Sequence, residues 1–290
     1  RGLTLYLMDI EQSWRRFVEL DPLPQPPLIK VRHPVVLMHG FGLLASLRRG
    51  GHLHQEAMSL REHGVIAYAP NVAPYNRVSA RAQMWQSRLE SILEETGAHK
   101  LNLIAQSMGG LDARYLISRA GFHDRVASLV TVSTPHRGSA IANIVLEQPQ
   151  RMQQWAADVL NWMGTASMGE IAADFLGSVP ELTPEYVQNE FNVAVPDHPS
   201  VRYFSYAGQA GKGTAVPINP LLLILNLPLY AREGVNDGFV SVESARWGEF
   251  LGTIGADHAA QVGIKFLGNR TFDSHEFYRM VVERLAAEGF

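Results

Sequence analysis

The stretch that decides the fold is Leu101-Asn102-Leu103-Ile104-Ala105-Gln106-Ser107-Met108-Gly109-Gly110. Its apolar first half predicts a short buried strand, and segment 111–117 after it has helical composition with no breaker. A strand, a tight turn and a helix with serine at the tip form a nucleophile elbow, in which the strained turn lifts the serine hydroxyl out of the sheet. Ala105 and Gly109 are the small residues that such a turn requires on either side of Ser107.

This motif alone is weak evidence for an elbow, because serine between two small residues is common by chance. The pattern of the rest of the chain is therefore needed as well. Apolar, β-branched runs predict further strands at 34–38, 65–70, 126–133 and 201–207. Amphipathic segments between them predict helices at 4–20, 53–63, 79–96 and 274–287. The alternation of strands and helices predicts an α/β fold, with a mostly parallel, doubly wound sheet covered on both faces.

Composition bounds the class of protein. The chain has 290 residues, of which 46% are hydrophobic and 18% charged, so it is globular and long enough for one large domain or two small ones. A formal charge of −3 gives no electrostatic case for nucleic acid as a partner. The absence of cysteine excludes disulfides, thiolate catalysis and cysteine-ligated zinc. The apolar runs, such as 221–225, are too short to span a bilayer.

The alternation of strands and helices stops between residues 139 and 200, where no strand is predicted. Amphipathic stripes there predict helices, the first marked by Trp155 and Trp162. We therefore predict a single domain over 1–290, with a helical lid inserted at about 139–200 and an apolar loop at about 214–230. Four apolar residues of these two segments are predicted to contact substrate: Trp155, Trp162, Leu221 and Leu222. The alternative is that these helices only cap the core.

A serine hydroxyl needs a base to take its proton and a third group to orient that base. In a doubly wound sheet with a nucleophile elbow, the order along the chain is serine, acid, histidine. Asp237, in the turn-rich loop 234–238, and His258, after the apolar stretch 250–254, fill that order. Asp237 as a mere turn residue and His258 as a surface residue are the alternatives. His275 is a rival base, although its place at the start of the last helix favours capping.

The tetrahedral intermediate also needs hydrogen-bond donors for its oxyanion. The backbone N–H of Met108, which follows the nucleophile, is predicted to be one donor. The N–H of Phe41, in the glycine-rich loop after the first strand, is predicted to be the other. Both assignments rest on position, because a backbone donor imposes no side-chain identity. His39 is interpreted as a buried support of that loop rather than as a base.

Five segments together resemble the bacterial true lipases of the α/β-hydrolase superfamily, and they stand in that family's order. They are His39-Gly40-Phe41, Ala105 to Tyr115, Ser133 to Ser139, Asn236-Asp237-Gly238 and Asp257-His258. The resemblance covers roughly 33–145 and, more loosely, 183–288. It implies an α/β-hydrolase fold and a serine carboxyl-ester hydrolase that acts on triacylglycerols or other lipophilic esters, with a helical lid over the active site.

The sequence also departs from the family. Many members carry a disulfide near the active site, and many bind a structural calcium through an aspartate two residues past the histidine and another before the catalytic aspartate. Here those positions are Ala260 and, approximately, Pro217. Calcium prefers several oxygen ligands including carboxylates, so we predict no metal site and no cofactor.

Other functions on the same three residues remain open: a short-chain carboxylesterase, a polyester hydrolase or an acyltransferase. A non-catalytic binding module is disfavoured, because every catalytic position is filled. The expected partner is a lipid or other lipophilic ester, met as a molecule or at a lipid–water interface. The resemblance implies secretion, but a chain that begins with Arg1 and shows no signal peptide leaves location open, as it does oligomeric state and any removed leader.

Overall fold

The computed structural model describes residues 26–40, 53–73, 76–148, 178–264 and 272–290, together with single residues 14, 51 and 150. Most of the predicted N-terminal helix and most of the predicted lid helices lie outside these residues. Three predicted site residues also lie outside them: Phe41, Trp155 and Trp162.

A six-stranded parallel sheet organises the described part of the chain, in the order β2-β1-β3-β4-β5-β6. The strands are β1 Val35–Met38, β2 Ala67–Tyr68, β3 Leu101–Gln106, β4 Val126–Val132, β5 Arg202–Gly208 and β6 Glu249–Ile254. The chain moves outward from β1 to one edge, then returns past it to build the other half. Loops at the carboxyl ends of the central strands are brought together by this reversal.

Both faces of the sheet are buried, as a parallel sheet requires. Along β1, Val35 and Leu37 join a cluster on one face, while Val36 and Met38 join a second cluster on the other. Two helices cover the first face and two cover the second. They are α1 His54–Glu62 and α9 Ser274–Ala287, then α2 Val78–Thr96 and α3 Gly109–Ser118. The predicted doubly wound architecture is confirmed.

The described part of the predicted lid insertion is helical. It contains α4 Ala140–Glu147, a 3-10 turn Val179–Leu182, and a continuous helical run made of α5 Pro184–Tyr186, a π-helical turn Val187–Phe191 and α6 Asn192–Ala194. Val187 and Phe191 pack against Met108 and Leu111. This run therefore lies directly on the residues that follow Ser107.

The predicted apolar loop at 214–230 is wrong over most of its length, because Pro220–Glu233 forms a helix, α7. Asn219 caps it through a side-chain oxygen that accepts the N–H of Leu221, and Pro220 is preset for the first helical turn. Leu222, Leu225 and Leu229 follow at helical spacing and are buried. A short helix α8, Val242–Ala245, precedes β6. In the described ranges, no helix is both long and apolar enough to cross a membrane.

Candidate active site

Ser107 stands at the tip of the turn between β3 and α3, in a backbone conformation that serine rarely adopts. Its φ of 56° is left-handed, which is a strained state for a residue with a Cβ. The turn closes tightly around it: a Cβ on Gly109 would lie 2.8 Å from the carbonyl oxygen of His39. A Cβ on Gly40 would lie 2.6 Å from the Cβ of Ser107. The predicted strand, tight turn and helix are present, with no room for a larger side chain at Gly109 or at Gly40 of the adjacent loop.

The structure brings the three predicted residues together from distant parts of the chain. His258 Nε2 lies 2.9 Å from the hydroxyl oxygen of Ser107, and His258 Nδ1 lies 2.7 Å from Asp237 Oδ2. Asp237 is fully buried and the ring of His258 is largely buried. Because Nδ1 donates to the carboxylate, Nε2 has its lone pair directed at the hydroxyl. This geometry can carry a proton from the serine to the imidazole.

Asp237 is held by more donors than His258 alone. Its Oδ1 accepts the backbone N–H groups of Phe239 and Val240, at 3.0 and 2.8 Å. Its Oδ2 accepts, besides His258, the side-chain amide of Gln261 at 2.8 Å. Burial by itself raises the pKa of Asp237, but the charge and hydrogen bond of His258 and the two backbone donors outweigh it and lower the pKa below its usual value. The carboxylate is therefore ionised at neutral pH.

Comparison with known proteins agrees with this geometry. The family described as alpha/beta hydrolase fold matches residues 74–202. Lipase BlEst2 of Bacillus licheniformis, in its mature form, superposes with a TM-score of 0.63 over 90% of this chain and 96% of its own, at 21% identity. Lipase 1 from Pelosinus fermentans gives a TM-score of 0.67 over 89% and 99%, at 17% identity. These likenesses show that the chain has the α/β-hydrolase fold.

Two sequence relatives of this chain are named as triacylglycerol lipases. Triacylglycerol lipase 2 of Saccharomyces cerevisiae is 29% identical to this chain, over 80% of this chain and 72% of that protein. The triacylglycerol lipase of Vibrio cholerae is 35% identical, over 42% of this chain and only 39% of its own length. The predicted fold and the predicted resemblance to lipases are confirmed.

The remaining predicted site residues lie in different environments. Met108 follows Ser107 at the start of α3 and its side chain is buried; its role as an oxyanion donor, like that of Phe41, stays a prediction. Leu222 is buried in the core, with its Cβ 3.0 Å from where a Cβ on Gly238 would lie, so its contact with substrate also stays a prediction. Leu221 is half-buried at the first turn of α7.

The rival base His275 does not lie in the triad. His275 lies in the first turn of α9, where its Nε2 is 3.9 Å from Glu56 Oε1 on α1. Its backbone N–H donates to Asp273, which caps α9.

Asp257, beside His258, makes its hydrogen bonds to backbone groups and not to the His258 ring. Its carboxylate accepts the backbone N–H groups of Ala259, Ala260 and Asn219. These bonds connect the loop that carries His258 to the start of α7.

A calcium ion of the family's type does not fit these residues. The two expected carboxylate positions are Ala260 and Pro217, and the oxygens of neighbouring Asp257 are already bonded to backbone N–H groups. No group of three or more histidine, aspartate or glutamate side chains within the described ranges is placed to hold a metal. The absence of a metal site stays a prediction.

His39 supports the loop that leads to the predicted second oxyanion donor. Its Nε2 accepts the backbone N–H of Val72 at 3.1 Å, so Nδ1 carries the proton and lies 3.0 Å from the carbonyl of Gly40. The ring is buried against Trp85. This placement agrees with the interpretation of His39 as a support rather than a base.

A buried ion pair, not predicted from the sequence, holds the same loop. Arg81 on α2 and Asp112 on α3 are fully buried and 2.8 Å apart, and the Arg81 guanidinium also donates to the carbonyls of His39 and Gly40. Burial raises the pKa of Asp112 to about 6, against the opposing charge and hydrogen bond of Arg81. Arg81 lies one helical turn before Trp85 on the buried stripe of α2, and this signal could have revealed it.

We expect Arg81→Met to destabilise the fold by about 3–5 kcal/mol, because it leaves the charge of Asp112 buried without its partner. Urea unfolding at pH about 8, where Asp112 is ionised, measures the loss. The double variant R81M/D112L replaces the pair with apolar groups and should recover most of it. A single variant as stable as the parent would show that Asp112 is not charged in the folded protein.

Proposed function

We propose that this chain hydrolyses lipophilic carboxyl esters, with triacylglycerols as the favoured substrates, through an acyl-enzyme intermediate. The observation that carries the proposal is the continuous line of hydrogen bonds from Ser107 through His258 to buried Asp237. The named activity of the yeast and Vibrio cholerae relatives supports the choice of triacylglycerols. A short-chain esterase would use the same three residues.

In the first half of the proposed reaction, the Ser107 oxygen attacks the ester carbonyl while its proton passes to His258 Nε2. Asp237 stabilises the imidazolium that forms and holds Nδ1–H toward itself. The tetrahedral oxyanion is stabilised by the N–H of Met108 and, as predicted, that of Phe41. When the intermediate collapses, the bond to the alcohol oxygen breaks and His258 returns the proton to the leaving alcohol.

In the second half, water takes the place of the alcohol. His258 Nε2 removes a proton from water as the water oxygen attacks the acyl carbon. The second tetrahedral intermediate collapses, the bond to the Ser107 oxygen breaks, and the proton on His258 returns to that oxygen. The products are the carboxylic acid and the starting enzyme, so no cofactor is consumed.

The apolar outer face of α7 supports the proposal that the substrate is lipophilic. Leu223, Ile224 and Leu227 expose between 42% and 59% of their surface, an unusual concentration of large apolar side chains. Two hydrogen bonds hold this helix next to the site. The backbone N–H of Asn219 donates to Asp257, and the side-chain amide of Asn226 donates to that of Asn236, which precedes Asp237. We propose that this face meets acyl chains or the surface of a lipid aggregate.

A substrate series tests the assignment. We expect hydrolysis of triacylglycerols with long acyl chains, measured by acid release at constant pH, and covalent labelling of Ser107 by a fluorophosphonate probe. Preference for acetate and butyrate esters, with no turnover of emulsified triacylglycerol, would favour the short-chain esterase. No labelling of the folded protein would contradict catalysis by Ser107 and revive the binding module.

A further inference from the structure

Gln261 lies three residues after His258, in the 3-10 turn Ala260–Val262, and its side chain is fully buried. Its amide nitrogen is 2.8 Å from Asp237 Oδ2, the same oxygen that receives His258 Nδ1. We propose that Gln261 is a positioning residue of the catalytic triad: its amide fixes the plane of the Asp237 carboxylate, and thereby the direction of the His258 ring. The inference rests on the proposed function of that triad.

The donor count around Asp237 gives the first argument. An ionised carboxylate has about four lone-pair directions. Two at Oδ1 are filled by the backbone N–H groups of Phe239 and Val240, and two at Oδ2 by His258 and Gln261. Among the described residues, Gln261 therefore supplies the one donor to this carboxylate that is neither rigid backbone nor the catalytic base itself. Without it, Oδ2 is held only by the residue that it must orient.

The space around the amide gives the second argument. Gly208, the last residue of β5, faces Gln261, and a Cβ on Gly208 would lie 2.1 Å from its amide nitrogen. The φ of Gly208 is not in the left-handed region, so its backbone conformation does not require glycine. The glycine is needed for room, because a Cβ there would also lie 2.8 Å from the backbone oxygen of Ala256 and 3.0 Å from Asp237 Cβ. The Gln261 amide is thus held in a closely packed space beside Asp237.

The other end of the amide gives the third argument. Gln261 Oε1 is buried and finds no hydrogen-bond donor among the residues that the structure describes. A buried acceptor without a donor is unfavourable for folding, so a residue chosen for stability alone would be apolar here. The polar side chain is explained by what its nitrogen does for Asp237.

The test is Gln261→Met, which keeps the length of the side chain and removes the donor. We expect kcat for a p-nitrophenyl ester to fall about 10- to 100-fold, with KM nearly unchanged, because the substrate does not touch Gln261. We expect the thermal midpoint to stay close to that of the parent. The downfield proton resonance of the His258 Nδ1–H group should broaden or shift, a change that a purely structural role would not produce.

The matched control is Gln86→Met. Gln86 also donates its amide to a carboxylate, that of Glu90 at 2.9 Å, but on the exposed face of α2. We expect no change in kcat. If Gln261→Met does not fold, Gln261→Asn serves instead, because it keeps an amide but withdraws it from Asp237 by one methylene, and we expect the same loss of kcat.

A double-mutant cycle separates this inference from the proposed function. In an Asp237→Asn background, Gln261→Met should cause no further loss, because Gln261 acts through Asp237. Parental kcat in Gln261→Met, together with a large loss in Asp237→Asn, would overturn the role of Gln261 and leave the triad standing. Near-normal kcat in Asp237→Asn would overturn the triad. A full additional loss in the double variant would also overturn positioning through Asp237.

Discussion

Ser107→Ala is expected to lower ester hydrolysis about 10⁶-fold while the protein stays folded. The loss is large because the hydroxyl forms the covalent intermediate. Alanine keeps a Cβ at the same strained φ of 56°, so the turn should close as it does around serine. The rate with a p-nitrophenyl ester, set against the thermal midpoint of the same sample, measures both effects.

Ser87→Ala is a suitable control for this experiment. Ser87 lies on the exposed face of α2, where its hydroxyl donates to the carbonyl of Gln83, and we expect unchanged activity. Fluorophosphonate labelling should disappear in Ser107→Ala and remain in the control. Turnover by Ser107→Ala close to that of the parent would exclude this serine as the nucleophile, whatever the distance to His258.

The sequence predicts five of the six described strands, all but β6, and it selects three side chains that the structure places within hydrogen-bond distance of one another. Strands buried on both faces must be continuously apolar, so β1, β3 and β4 stand out from their surroundings. The elbow requires small residues at 105 and 109, and the order of serine, acid and base leaves few candidates. Each of these signals is local, and together they locate a site built from distant segments.

Tertiary contacts between distant segments cannot be predicted from local sequence patterns of this kind. Gln261 is one polar residue in a short turn, and only the structure shows its amide 2.8 Å from Asp237. The helix α7 was predicted as a loop because its apolar composition carries little amphipathic pattern, whereas its capping by Asn219 and its packing on the acid loop decide its conformation. Tertiary contacts determine both the placement of the Gln261 side chain and the helical conformation of α7.

Asp237→Asn is the second variant with a large expected effect, about 10⁴-fold in kcat. The carboxylate accepts donors on both oxygens, whereas an asparagine has one oxygen and one NH₂ group. The backbone N–H groups of Phe239 and Val240 cannot move easily, so the asparagine oxygen should take the place of Oδ1. The NH₂ group then faces His258 and forces Nδ1 to accept a hydrogen bond.

A ring that accepts at Nδ1 carries its proton on Nε2, where it cannot take the proton of Ser107. The expected signature is therefore loss of kcat with retained binding, measured by single-turnover kinetics beside the exposed control Asp124→Asn. Stability gives an independent reading. Because the pKa of Asp237 is lowered from 3.8, the parent should lose stability as pH falls through and below that value, and the asparagine variant should lose less over the same range. Activity of Asp237→Asn within tenfold of the parent would mean that another acid orients His258.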